Sequence, residues 1–70
     1  KEAYSYCVGQ MISEARKQEK MTQSELAEKV GTNKTYISRI EKGIIEPGVG
    51  LFFRIIDALG LKIEIVKPIM

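Results

Sequence analysis

Eleven Lys and Arg against nine Asp and Glu give the seventy-residue chain a net charge of +2, too small a surplus to name a polyanionic partner unless the cations are grouped. A chain this short makes one small domain burying only about 60% of its unfolded surface, so help from a partner subunit is expected. With one cysteine, Cys7, and no histidine, an internal disulfide is excluded and no metal cluster is expected; Cys7 reads as a core or half-buried residue.

No run approaches the ~20 apolar residues of a membrane span and no signal-peptide pattern opens the chain, so a cytoplasmic setting is expected, without membrane contact. The sequence begins on Lys1 rather than methionine, as a fragment of a longer protein would. No nucleophile has a base beside it and no glycine-rich phosphate loop follows a strand, so neither enzyme activity nor a cofactor is expected.

The first helix is predicted over about residues 4–19, with Val8, Met11, Ile12 and Ala15 on one apolar stripe. Thr22 and Glu25 then form a capping box, in which the Thr22 hydroxyl accepts from the Glu25 amide and the Glu25 carboxylate reaches back to Thr22. That box starts a second helix, which Gly31 ends by taking the left-handed conformation that side chains with a Cβ resist. Asn33 or Thr32 caps a third helix, and Gly43 stops it as Gly31 stops the second. Two short amphipathic helices joined by a tight turn make a helix-turn-helix, a unit that places its second helix in the DNA major groove.

Projected at roughly 100° per residue, the third helix collects Lys34, Thr35, Ser38, Arg39 and Lys42 within an arc of about 140°. Every side chain on that arc donates hydrogen bonds. Tyr36, Ile37 and Ile40 occupy the opposite arc, with Glu41 at its margin, and are expected to pack inward. Solvated faces usually mix charge signs, so a strip without a carboxylate favours phosphates and base edges as its partner.

Beyond this unit, Gly48 and Gly50 should delay or fray the start of a fourth helix over 51–59. Its apolar residues include Leu51, Phe52, Phe53, Ile55, Ile56, Ala58 and Leu59. They span about 220° at the helical period, wider than one internal core face requires. After Gly60, LKIEIVK alternates Leu61, Ile63 and Ile65 against Lys62 and Glu64, a β-strand pattern. No other segment reads as a strand, so its partner is expected to be the same strand of a second copy, antiparallel across a two-fold axis. Phe52, Ile56, Leu61, Ile63 and Ile65 are the expected dimerisation residues, and Pro68 ends the pairing.

From about Ile12 to Leu61, the motifs TQSELA, ISRIEKG, the proline of the following loop and ALGL occur in register, and the chain resembles the Xre/Cro/phage-repressor family. The resemblance implies a mainly α, lambda-repressor-like bundle of four or five helices in a DNA-binding domain over 1–60, and the strand pattern above adds a dimerisation segment over 61–70. It implies that Gln23 holds a DNA phosphate at the start of the second helix, and that Lys34, Thr35 and Ser38 contact base edges. Arg39 would reach guanine or phosphate, and Tyr36 would touch the backbone through its hydroxyl or simply pack. Asn33 and Lys42 flank these positions and are expected to contact the DNA with them. Arg16 and Glu41 match a structural salt bridge between the first and third helices. Two departures stand out: Lys20 occupies a usual glycine position, where a left-handed residue costs roughly 1 kcal/mol, and Gly48 replaces the usual serine cap.

The partners so implied are double-stranded DNA with a palindromic operator, and a second copy of the chain. Within the family, a helix-turn-helix followed by a dimerising strand resembles HigA-like and HipB-like antitoxins, which implies a toxin as a further partner and autoregulation of the operon. A free-standing regulator is the nearest alternative. A protein-interaction module that has lost DNA binding is the alternative from another class, and it predicts that neutralising Lys34 and Arg39 leaves function intact.

Overall fold

In the computed structural model, residues 2–68 are described. They form four helices, α1 (Glu2–Gln18), α2 (Gln23–Val30), α3 (Lys34–Glu41) and α4 (Val49–Ala58). All four contribute to one core of Ile12, Leu26, Ala27, Val30, Ile37, Ile40, Ile55 and Leu59.

The helix-turn-helix boundaries follow from local chemistry. The Thr22 hydroxyl accepts from the Glu25 amide at 3.0 Å and the Glu25 carboxylate accepts from the Thr22 amide at 2.8 Å, the reciprocal box that satisfies two amides at the start of α2. Asn33, not Thr32, caps α3 by accepting from the Tyr36 amide at 2.9 Å. Gly31 has φ 83° and Gly43 has φ 77°, so both helices close through left-handed residues.

Lys20 plays the same part for α1, with φ 56°. Its amide donates to Lys17 O and that of Met21 to Arg16 O, the paired bonds of a Schellman turn. A lysine in this conformation carries roughly 1 kcal/mol of strain that glycine would not.

Several expectations are corrected. On α1, Met11 is exposed and Cys7 is exposed, while Gly9 is buried beside Ile12. The cause is a close helix approach: a Cβ at Gly9 would lie 2.5 Å from the carbonyl oxygen of Glu41 and closer still to that of Ile40. This contact turns α1 so that Ser5, Val8, Gly9 and Ile12 face inward.

Helix α4 begins at Val49, two residues earlier than expected and with no side-chain cap. Gly48 supplies its carbonyl to the Phe52 amide at 2.8 Å, so the first turn closes through backbone alone. Arg54 ties α4 to the end of α2 by donating through Nε to Val30 O at 3.2 Å.

The β-strand expected over 61–67 is not formed: residues 61–68 carry no strand and are all exposed. A strand needs a second edge for its amides and carbonyls, and among the described residues the chain offers none. Ile69 and Met70, also assigned to the dimerisation segment, lie outside the described residues. The radius of gyration is 12.3 Å, above the about 11 Å typical of a compact chain of this length, as an arm standing off a helical body requires.

Candidate nucleic-acid interface

The site is built around a buried carboxylate. Glu41, only 6% exposed, accepts from Arg16 Nε at 2.7 Å and Nη2 at 3.1 Å. It also accepts from Gln23 Nε2 at 3.0 Å, while Arg16 Nη1 donates to Met21 O at 2.8 Å. The salt bridge between the first and third helices is thus present, and a single carboxylate also joins α3 to the first residue of α2. Bidentate guanidinium contacts fix orientation as well as distance. No buried side-chain nitrogen or oxygen among the described residues lacks a partner, as a buried ionic network requires.

Gln23 is therefore half-buried and directed toward Glu41, with the second N–H of its amide left over. The strip on α3 faces outward: Lys34, Thr35, Arg39 and Lys42 are exposed and Ser38 is half-buried. Tyr36 is half-buried and packs on the core. Asn33 is exposed with its side-chain oxygen occupied by the cap.

Beside the strip lies a feature that the sequence reading missed. Arg16, Lys17, Lys20, Met21, Thr22, Gln23, Ser24 and Lys34 line a shallow hollow where the end of α1 and the starts of α2 and α3 meet. Three lysines reach it, no carboxylate does, and Arg16–Glu41 is the ion pair seen among the described residues. The amides of Gln23 and Ser24 open α2, where an α-helix has no internal acceptor for them. The available signal was the basic last turn of α1, Arg16 and Lys17.

The expected dimerisation residues divide. Leu61, Ile63 and Ile65 are 40%, 41% and 95% exposed, whereas Ile56 is 6% exposed and already covered within its own chain. Phe52 is half-buried against the core, and its neighbour Phe53 is the more exposed ring of α4. No helix is long and apolar enough to cross a membrane.

Two short capped helices at a left-handed glycine turn, with a donor-lined second helix facing solvent, define the helix-turn-helix class of fold. The chain belongs to the Helix-turn-helix family of the Xre and phage-repressor type, whose family model matches residues 12–66. It is 39% identical over 56 residues to an uncharacterized HTH-type transcriptional regulator of Sinorhizobium fredii, covering 80% of this chain and 29% of that protein. It is 35% identical over 57 residues to the immunity repressor protein of Bacillus phage phi105, covering 81% and 40%. An uncharacterized HTH-type transcriptional regulator of Methanothermobacter thermautotrophicus is 46% identical over 50 residues, covering 71% and 72%. The chain thus spans less than half the length of the first two relatives.

Proposed function

We propose that this chain is a sequence-specific DNA-binding domain of a transcriptional repressor, inserting α3 in the major groove of a palindromic operator as a homodimer. The observation that carries the reading is the outward strip of Lys34, Thr35, Ser38, Arg39 and Lys42, hydrogen-bond donors without a carboxylate among them. Thr35 and Ser38 suit base edges, Arg39 suits guanine or phosphate, and Gln23, Asn33, Tyr36 and Lys42 lie where the adjoining backbone would pass. Two relatives carry the name transcriptional regulator and one the name immunity repressor, which supports the regulatory assignment.

The homodimer is supported by an arm with exposed Leu61, Ile63, Ile65 and Val66 and unpaired backbone edges. Antiparallel pairing of two such arms would satisfy both, and would set two recognition helices about 34 Å apart for successive major-groove faces. A helix-turn-helix followed by an apolar arm also favours a second reading as an antitoxin controlling its own operon, in which case a toxin co-purifies with it. Occupancy of the operator represses by blocking polymerase.

Fluorescence anisotropy with a labelled duplex tests the core of the reading. Binding should weaken steeply between about 50 and 200 mM salt, because each neutralised phosphate releases counterions. Absence of binding at low salt, with the helices intact by circular dichroism, rejects a DNA-binding role and leaves the protein-interaction module.

A further inference from the structure

We infer that Lys34 is a phosphate clamp, not a base reader, and that it works with Lys17 and Lys20 to hold one backbone phosphate at the hollow between α1, α2 and α3. The inference rests on the DNA-binding reading above and changes the division of labour within that site. As the first residue of α3, Lys34 is at the end of the strip nearest α2. It lines the hollow together with Lys17, Lys20, Thr22, Gln23 and Ser24.

Three observations assign the charge. First, the hollow that Lys17 and Lys34 line holds no carboxylate; Lys20 also borders the neighbouring hollow of Glu19, Glu25 and Glu28, and among the described residues it forms an ion pair with none of them. Second, Arg16 is committed to Glu41 and Met21 O, and one N–H of the Gln23 amide is committed to Glu41. The Arg16 charge is therefore balanced by Glu41, and the unbalanced charge at the hollow is that of the lysines. Third, the free amides of Gln23 and Ser24 point an anion to the same place.

A lysine ammonium suits this task. It is a compact point charge on a flexible stem and binds phosphate without demanding a fixed fork geometry. With its ammonium held at a phosphate, Lys34 is not available to a base edge. Base selection then falls to Thr35, the next residue, and to Ser38 and Arg39, about one turn further along α3.

The test compares two duplexes of equal length, one enriched by this protein from a random pool and one with its sequence scrambled, each titrated over a salt series. Lys34→Ala should weaken both by the same factor, leave their affinity ratio unchanged, and reduce the slope of log affinity against log salt by about 1 per bound subunit. Lys34→Arg should restore the slope. Ser38→Ala with Arg39→Ala should collapse the ratio instead. A Lys34→Ala protein that loses the ratio while keeping the wild-type slope overturns the inference and leaves DNA binding standing. Failure of the wild-type protein to bind either duplex overturns both together. Lys34 is exposed, and circular dichroism of each variant separates a folding defect from a binding one.

Discussion

The region of the chain through residue 43 and the shorter region beyond it solve the same problem differently. In the first, α2 and α3 are capped at both ends, and one buried carboxylate satisfies Arg16 and Gln23 together. In the second, α4 lacks a side-chain cap, Val49 and Phe53 are 72% and 53% exposed, and an apolar arm stands in solvent with Ile65 at 95%. The first region satisfies its buried polar groups within one molecule, which is what a rigid reading head needs. The second leaves apolar surface and backbone edges uncovered, which is what an assembly surface needs.

Breaking the first region should be costly and independent of protein concentration. Glu41→Ala strands the Arg16 guanidinium in a nearly buried site, and loss of one partner from such a pair costs about 3 to 5 kcal/mol. Chemical denaturation should show that loss at every concentration. Gly9→Ala forces a methyl group against the carbonyls of Ile40 and Glu41, and crowding of this kind costs about 1 to 3 kcal/mol. Thr22→Ala removes the capping box and should cost about 1 kcal/mol in the same assay. A neutral result for Glu41→Ala would remove the network as the organiser of the reading head.

Changes in the second region should separate fold from assembly. Ile65→Asp alters a side chain with nothing around it, so unfolding of the dilute protein should move by no more than about 0.5 kcal/mol. Sedimentation equilibrium should nevertheless show the wild-type dimer replaced by monomer. A dimer that survives both Ile63→Asp and Ile65→Asp sinks the arm-pairing proposal. Gly48→Ser at the start of α4 gives the smallest effect, a gain of a few tenths of a kcal/mol.

Legibility in the sequence divides along the same line. Thr22, Glu25, Gly31, Asn33 and Gly43 act through neighbours within a few residues, so the helix-turn-helix boundaries could be read directly. The outward strip followed from the helical period alone. Gly9 could not be placed in that way, because its burial depends on α3 approaching from more than thirty residues away. A glycine inside a predicted helix was the available signal, since it normally costs stability and marks a packing constraint. The stripe through Met11 was misassigned for that reason. The lysine hollow was equally hidden, since Lys17, Lys20 and Lys34 converge only once three helix ends meet. The strand pattern of the arm was legible as composition, but a strand forms only against an edge that a single chain does not supply.

Selection of bound sequences from a random duplex pool, run in parallel with wild type and the Ser38→Ala/Arg39→Ala variant at one moderate salt concentration, tests the central claim most directly. The account predicts that wild type enriches a palindromic motif with half-sites one helical turn apart, about 10 base pairs centre to centre, and that the variant loses it. An identical motif from both proteins, or no enrichment by wild type, would contradict α3 as the reading helix.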